Sequence, residues 1–510
     1  MIISLSVLVI TIIVSGTYAL YKAQLSKNIG VNTTTHGLAY YINYVKGTDI
    51  TAATLNPSTS YEGGASSDIE FWKKDDSYDI YGKIELTVNT IGTNLSNSPA
   101  LKYAVVNNGN VLKEGSLKGT TSGSKVTILK NLYLEQTKQI YTVYVWLDNS
   151  EELGNISNES LSISVDCTAS LQKEPTAADT IISLYTSAAK VTATNNSITY
   201  NTAPSVSLMN DRLGGTTTSL DGGNIRYYGA SPNNYIYFNC SDYSNQTSST
   251  CETWRIIGVF DGKLKLIRGS QIGKYSWDNK NTSTGAENDA GKNDWTTARL
   301  MKLLNPSNYY KVDSNDNNLG QSLYYNSASG KCYSGQNNAT VDCDFTSTGI
   351  KNAETRNMIA ETTYNLGGWN SNSVYSNQIY EYERGTTVYS GRPTTWKGKI
   401  ALAYPSDYGY AADLNQCKDK TLYDYDNRTC TSNNWMKAII TNNGSNTGWL
   451  LTPNSGDSNY AWFVSSDGYV GNYYHAYYAA GAVPVLSLSS ELGIESGGDG
   501  SSSKPYKLSA

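Results

Sequence analysis

The stretch Ser465–Ala480, SSDGYVGNYYHAYYAA, concentrates side chains that could contact a ligand. Tyrosine offers a large contact area with few rotatable bonds, asparagine and serine adapt their hydrogen bonds, and this mixture is typical of binding loops. Packing into the core is the alternative role, because alternate residues of a strand point to opposite faces. The predicted ligand-binding residues, which begin just before this stretch, are Asn454, Asn459, Tyr460, Tyr469, Asn472, Tyr473, Tyr474, His475, Tyr477 and Tyr478.

Residues suited to catalysis are scarce. Acid–base catalysis near neutral pH most often uses histidine, and the two histidines, His36 and His475, fall in different predicted domains. The sequence has no Gly-x-Ser-x-Gly motif, no phosphate-binding loop and no metal-ligand spacing. We therefore predict a protein that is not an enzyme and has no cofactor or metal. Two carboxylate pairs could serve a glycosidase but are typical of solvated loop charges: Asp424 with Asp426, and Glu381 with Glu383.

Six of the seven cysteines form pairs that are close in sequence. Zinc ligands usually include Cys-x-x-Cys pairs, which the sequence lacks, so disulfides are favoured over zinc. Disulfides indicate an oxidising compartment. The remaining cysteine, Cys167, is predicted to be a buried thiol at a strand end. The predicted bonds are Cys240–Cys251, Cys332–Cys343 and Cys417–Cys430.

The first 21 residues are apolar and uncharged. Residues 1–21 are long enough to span a bilayer, and an export signal cut after Ala19 is the alternative. Both alternatives predict a cell-surface protein, either membrane-anchored or secreted. The net charge of −5 gives no electrostatic attraction to nucleic acid.

Strand patterns fill residues 30–170, which we predict to form a β-sandwich stalk. The Asn108-Gly109 pair marks a hairpin, because tight hairpin turns need positive φ angles. Residues 171–204 predict a helix over 175–190, capped by Thr176 or Asp179, and then a linker.

Residues 205–508 combine short strands with long polar loops and predict an α+β domain, so the chain as a whole is mainly β. Strands are expected at 235–239, 254–260 and 263–268, the last two joined by a tight turn. A helix is predicted over 295–304, with Asn293 or Asp294 as its N-cap.

Several segments in order, "NIRYYGASPNNYIYFN…TWRIIGVF", "NDWTTARLMKLLN", "GKIALAYPSDYGYA", "GWLLTPNSG…AWFVSSDGYVG" and "GAVPVLSL", resemble surface proteins of low-GC Gram-positive bacteria. The C-terminal domain of those proteins is similar to the C-type-lectin-like fold, in the branch shared with formylglycine-generating enzymes. The resemblance covers about 205–508 and implies a C-type-lectin-like tip. Val483 departs from the pattern, because it stands where an arginine that would anchor the loop by charge-assisted hydrogen bonds is expected.

We predict a cell-surface protein that binds carbohydrate or protein through its Tyr/Asn-rich loop face. A structural fibre, surface-layer or pilin-like subunit is the alternative, and such a subunit should assemble as its concentration rises. An enzyme of the formylglycine-generating branch is less favoured, because it would need Cys417 and Cys430 as free thiols in a deep cleft.

Overall fold

The computed structural model describes two compact units within Met1–Glu174 and Pro175–Ala510. The predicted anchor or signal at 1–21 and His36 lie outside the described residues. Within the described ranges, no helix is long and apolar enough to cross a bilayer. The described residues are 23–24 and 41–509, except 52–54, 152, 157, 197, 213–222, 244, 281–283, 285, 287–288 and 313–318.

The N-terminal unit is a β-sandwich. Its elements are β1 (Ala23–Gln24), β2 (Ile42–Val45), β3 (Ile50–Thr51), β4 (Pro57–Ser58), β5 (Ala65–Lys73), β6 (Tyr81–Ile91), α1 (Thr93–Asn97), β7 (Leu101–Asn107), β8 (Asn110–Ser116), β9 (Lys125–Tyr133), β10 (Ile140–Asp148) and β11 (Leu161–Ser170). One sheet has the order β1-β11-β6-β9 with β3 beside β11, and the other has the order β2-β5-β10-β7-β8 with β4 beside β10.

Strand alternation builds the core of this sandwich. Ile84 and Leu86 of β6 are buried, and so are Val143 and Val145 of β10. Each such side chain contributes about 1.5–3 kcal/mol when it leaves water. The predicted hairpin is present as β7 and β8.

Cys167 is a buried free thiol. It lies inside β11 rather than at a strand end, because the strand continues to Ser170. Burial raises the pKa of the Cys167 thiol well above its usual value. The thiolate is the reactive form of cysteine, so this thiol is chemically quiet.

The predicted helix after the sandwich is α2 (Ala177–Ser187), and its two candidate caps act together. Thr176 Oγ1 accepts from the backbone N–H of Asp179 at 3.1 Å, and Asp179 Oδ2 accepts from the backbone N–H of Thr176 at 2.9 Å. This reciprocal capping box satisfies two N–H groups at the helix start. The helix packs into the core of the C-terminal unit through Ile181 and Tyr185.

Residues 191–203 form two strands of the C-terminal unit rather than a free linker. The strands of this unit are β12 (Val191–Asn195), β13 (Ile198–Ala203), β14 (Leu208–Asn210), β15 (Ile225–Tyr227), β16 (Tyr235–Phe238), β17 (Glu252–Phe260), β18 (Lys263–Arg268), β19 (Lys274–Ser276), β20 (Ser329–Tyr333), β21 (Thr340–Asp344), β22 (Thr362–Asn365), β23 (Thr395–Gly398), β24 (Ile400–Ala401), β25 (Gly448–Pro453), β26 (Tyr460–Val464), β27 (Val470–His475), β28 (Ala479–Gly481), β29 (Val485–Ser487), β30 (Gly493–Ile494) and β31 (Leu508–Ser509). Its helices after α2 are α3 (Arg299–Leu304), α4 (Ala353–Met358), α5 (Ser376–Arg384), α6 (Pro405–Tyr410), α7 (Arg428–Ser432) and α8 (Trp435–Ile440).

Two larger sheets organise the C-terminal unit. The first has the order β12-β13-β14-β15-β17-β18-β29-β24 with β16 beside β17, and the second has the order β19-β28-β25-β26-β27. The β17–β18 hairpin forms as predicted, and its turn residues Asp261 and Gly262 have φ angles of 49° and 71°. The second sheet carries the predicted ligand-binding stretch, which lies on β26, β27 and their connections.

The helix predicted over 295–304 begins later, at Arg299. The two predicted N-cap residues, Asn293 and Asp294, make hydrogen bonds outside the helix instead. Asp294 Oδ1 accepts from the backbone N–H of Thr296 at 3.0 Å and from its hydroxyl at 2.6 Å. This local turn competes with helical hydrogen bonds, which delays the helix. Ala298 stands at the N-cap and makes no side-chain cap.

All three predicted disulfides are present: Cys240–Cys251, Cys332–Cys343 and Cys417–Cys430. They indicate an extracellular protein, because such bonds persist in oxidising compartments.

Candidate ligand-binding site

The hairpin between β26 and β27 carries the predicted binding stretch. The backbone N–H of Ser465 donates to the carbonyl of Tyr469 at 2.9 Å, which closes the turn. Gly468 has a φ of 115°, a conformation that side chains disfavour. The buried hydroxyl of Tyr408 donates to the Gly468 carbonyl at 2.9 Å. The tip of the hairpin is therefore tied to the core.

Phe463 is the buried support beneath the tyrosines of the hairpin. Its ring centroid lies 6.0 Å from Tyr469, 5.3 Å from Tyr473 and 4.9 Å from Tyr474. Gly471 pairs with Phe463 across the two strands. A Cβ at Gly471 would lie 2.3 Å from the Phe463 ring. The absence of a side chain at Gly471 therefore leaves room for the Phe463 ring, which supports the three tyrosine rings.

Three tyrosines form a partly exposed group that we call the tyrosine platform: Tyr423, Tyr469 and Tyr473. The ring centroids of Tyr423 and Tyr469 lie 5.9 Å apart, and the hydroxyls of Tyr469 and Tyr473 lie 2.9 Å apart. Tyr423 is 51% exposed and Tyr473 is 46% exposed. Burial and the hydrogen bond to Tyr469 raise the pKa of Tyr473 above its usual value. Its hydroxyl therefore stays protonated.

Tyr423 was not among the residues predicted from the sequence. It lies in the loop closed by Cys417–Cys430, and its backbone N–H donates to the carbonyl of Asn372 at 3.2 Å. The side-chain amide of Asn372 donates in turn to the carbonyl of Val470 in β27 at 3.0 Å. Asn372 thus ties the disulfide-closed loop to the edge strand. The tyrosines within the cysteine pair were the signal that could have identified this residue.

The other predicted aromatic residues form an inner cluster of Tyr460, His475, Tyr477 and Tyr478, with Tyr474 linking it to Phe463. The ring of His475 stacks on Tyr477 at 5.3 Å, and His475 Nδ1 lies 2.7 Å from Asn459 Oδ1. The Tyr477 hydroxyl accepts from Gln336 Nε2 at 2.7 Å. Tyr477 is buried and Tyr460, His475 and Tyr478 are half-buried, so these rings are less exposed than Tyr423 and Tyr473.

The three predicted asparagines, Asn454, Asn459 and Asn472, are buried. Asn454 Nδ2 donates to the Asn472 carbonyl at 2.8 Å, and Asn454 Oδ1 accepts from the backbone N–H of Gly456 at 2.7 Å. Asn459 holds His475, as described above. Asn454 and Asn459 thus make side-chain hydrogen bonds within the loop, whereas Asn472 takes part through its backbone carbonyl and its buried side-chain Nδ2 has no hydrogen-bond partner among the described residues.

The anchor that Val483 lacks is supplied from elsewhere in the chain. Val483 is buried among apolar side chains. Arg392 donates from its guanidinium to the carbonyl of Ser458 and to Asn293 Oδ1, each at 3.1 Å. These charge-assisted hydrogen bonds hold the connection between β25 and β26 from a distant part of the chain.

Comparisons with known proteins add little to this geometry. No family model and no curated protein matched the chain. The receptor-binding domain of botulinum neurotoxin mosaic serotype C/D is 12% identical over 53% of this chain and 76% of that chain, with a TM-score of 0.15. A variant of HCR/D is 10% identical over 50% of this chain and 75% of that chain, also at 0.15. A likeness this weak carries no argument about fold or ligand.

The carboxylate pairs found in the sequence do not converge on a shared substrate position. Glu381 is exposed, whereas Glu383 is fully buried and accepts from the backbone N–H and hydroxyl of Ser406 at 2.9 Å and 2.5 Å. Asp424 accepts from the Thr421 hydroxyl at 2.8 Å within its own loop. Among the described residues, no group of three or more metal-binding side chains is present.

Proposed function

We propose that this protein is a cell-surface or secreted receptor that binds carbohydrate or protein through the face around the tyrosine platform. In this proposal the C-terminal unit is a C-type-lectin-like domain, the N-terminal unit is a β-sandwich stalk, and residues 1–21 anchor the chain in the membrane or direct its export. The supporting observation is the platform itself, where Tyr423 and Tyr473 keep about half of their surface in water on a braced scaffold.

The bracing favours recognition over chance exposure. Ordering a mobile side chain on binding costs about 0.5–1.5 kcal/mol. Phe463 already supports two rings of the platform, and the disulfide loop holds the third. Because these rings are ordered in the free protein, a ligand gains their contact area at a reduced entropic cost.

A fibre subunit is the competing proposal, because β27 is an edge strand and edge strands can pair with another chain. Two carbonyls of β27, those of Val470 and Asn472, already accept from the side chains of Asn372 and Asn454. This partial capping weakens the case for edge-to-edge assembly. Sedimentation over a hundredfold range of concentration tests the point: a receptor stays monomeric, and a fibre subunit grows.

A reactive-thiol enzyme has less support. Such an enzyme would need thiols at Cys417 and Cys430, but these two residues are bonded to each other. The disulfide instead closes the loop that carries Tyr423, which favours a structural role for the pair.

Glycan and protein arrays test the proposed receptor. The full chain is compared with a Tyr423→Ala/Tyr473→Ala double variant and with Tyr78→Ala, which removes an exposed tyrosine of the N-terminal unit. We expect one ligand class to bind the full chain and the Tyr78→Ala control and to be lost with the double variant. Equal binding by all three proteins would contradict the proposal.

A further inference from the structure

We propose that the tyrosine platform is a stacking subsite for a neutral sugar ring. This inference rests on the proposed receptor function and narrows it to one ligand class. It also assigns ligand contact to Tyr423, Tyr469 and Tyr473 rather than to the inner cluster.

The platform is assembled from two chain segments, the disulfide loop and the β26–β27 hairpin. Tyr423 comes from the disulfide loop, Tyr469 from the hairpin turn and Tyr473 from β27. Among the described aromatic residues of the C-terminal unit, Tyr423 and Tyr473 are the most exposed, and both are neighbours of Tyr469. The other described aromatic side chains of this unit are half-buried or buried, so the largest aromatic exposure is concentrated at one place.

The charge of the platform favours a neutral ligand. The platform consists of tyrosine side chains alone, and the carboxylate of Asp467, two residues before Tyr469, is among the causes that raise the pKa of Tyr473. A carboxylate beside the platform disfavours uronates, sialates and phosphates, because like charges repel each other. A pyranose presents apolar C–H groups on its faces and hydroxyls at its rim, which match a ring face beside phenol hydroxyls.

The hydroxyl pair supplies the polar part of the subsite. A tyrosine hydroxyl has one donor and acceptor lone pairs. The bond between Tyr469 and Tyr473 uses one donor, so the pair keeps one O–H donor and free lone pairs for the hydroxyls of a sugar. A protein hot spot differs, because it lies in a desolvated pocket surrounded by contacts that exclude water. Half-exposed rings at a hairpin fit a sugar better.

The test begins with an array of neutral oligosaccharides, including gluco-, manno- and galacto-oligosaccharides, beside uronate- and sialate-containing ones. Calorimetry with the full chain then measures the affinity of the neutral oligosaccharide that binds. We expect Tyr423→Ala and Tyr473→Ala each to weaken binding about tenfold through lost ring contact. Tyr473→Phe keeps the ring and should weaken binding about threefold through the lost hydroxyl. Tyr78→Ala serves as the control, and thermal unfolding verifies that each variant is folded.

The outcomes separate the sugar subsite from the receptor function. If a protein ligand binds through Tyr423 and Tyr473 while no neutral oligosaccharide binds, the sugar subsite is overturned and the receptor function stands. If an acidic oligosaccharide binds as tightly as its neutral counterpart, the neutral class is overturned. If neither substitution changes the binding of any ligand, both proposals fail.

Discussion

The guanidinium of Arg392 donates to the side-chain oxygen of Asn293 at 3.1 Å, and this bond orients the Asn293 amide toward the connection between β25 and β26. Asn293 Nδ2 then lies within 2.9 Å of the carbonyls of Asn454, Asp457 and Tyr460. One buried amide thus gathers both ends of the connection between β25 and β26. The connection precedes the strand that carries Phe463, so its order supports the platform.

Removal of the amide should destabilise the C-terminal unit. Asn293→Ala leaves three loop carbonyls without this donor, and an unsatisfied buried polar group costs about 1–3 kcal/mol. We expect the free energy of unfolding to fall by about 2–3 kcal/mol, as measured by urea denaturation. Arg428 is exposed, so Arg428→Ala is the matched surface control. If Asn293→Ala were as stable as this control, the connection between β25 and β26 would not depend on the Asn293 amide for its stability.

Arg392 has a more specific role than a positive charge. Its fork contacts Asn293 and Ser458 together, and lysine cannot reproduce two directed bonds from one planar group. Arg392→Lys should therefore lower stability by about 1 kcal/mol and broaden the amide resonances of 454–460. Sharp resonances with unchanged stability would contradict this expectation.

Gly471 should be intolerant of any side chain. Gly471→Ala places a methyl group 2.3 Å from the Phe463 ring, and such overpacking costs about 1–3 kcal/mol. The displaced ring also shifts Tyr473, so ligand affinity should fall together with stability. Gly385→Ala is the matched control, because the new Cβ there would meet its nearest atom at 3.4 Å. If the two substitutions changed stability and ligand affinity equally, Phe463 would not be the support of the platform.

Local features of the fold were predictable from the sequence. The Asp261-Gly262 turn, the β7–β8 hairpin and the cysteine pairs are each determined within a dozen or so residues. The helix before Leu304 was predicted too long, because Asp294 bonds its own neighbour instead of capping a helix. A short-range competitor of this kind is difficult to detect from periodicity.

The site was only partly predictable for a different reason. Tyr469 and Tyr473 stand out by composition, but Tyr423 joins them through the tertiary fold. Asn293 and Arg392 are 99 residues apart, and Asn293 is 161 residues from Asn454. No local pattern encodes such contacts. Composition also cannot separate Tyr473 from the buried Tyr477, because both belong to one tyrosine-rich run.

Glu383 should make stability depend on pH. Burial raises its pKa from 4.5 to about 7. Because the folded state holds this proton more tightly than the unfolded state, the stabilisation is complete below about pH 4.5 and is lost as the pH rises through about 7. The full change is about 3 kcal/mol. We therefore expect urea denaturation of the wild type to give a lower free energy of unfolding at pH 8 than at pH 5 from this group.

Glu383→Gln isolates the contribution of that carboxyl. Glutamine keeps an oxygen that can accept from the backbone N–H of Ser406 but does not titrate. The variant should gain stability relative to the wild type between pH 5 and pH 8, by up to about 3 kcal/mol. Glu381→Gln, on the exposed face of α5, should show no such gain. Parallel pH profiles for wild type and Glu383→Gln would mean that the carboxyl titrates normally.

The Cys417–Cys430 bond should contribute to both stability and binding. Cys417 and Cys430 are 13 residues apart in sequence. Replacing both with serine opens the loop between them, which should lower the free energy of unfolding by about 3 kcal/mol in the chain-entropy model. The freed loop no longer holds Tyr423 beside Tyr469, so affinity for the ligand should also fall. A further Tyr423→Ala substitution in this background should then have a much smaller effect than in the wild type.

The Cys240–Cys251 bond provides the comparison, because its separation of 11 residues is similar and it joins the region between β16 and β17. Its double serine variant should lose comparable stability and keep the wild-type affinity at temperatures where both proteins are folded. The combination of denaturation and calorimetry therefore distinguishes positioning of Tyr423 from general stabilisation. If both double variants lose affinity equally, the Cys417–Cys430 loop has no special role in holding the platform.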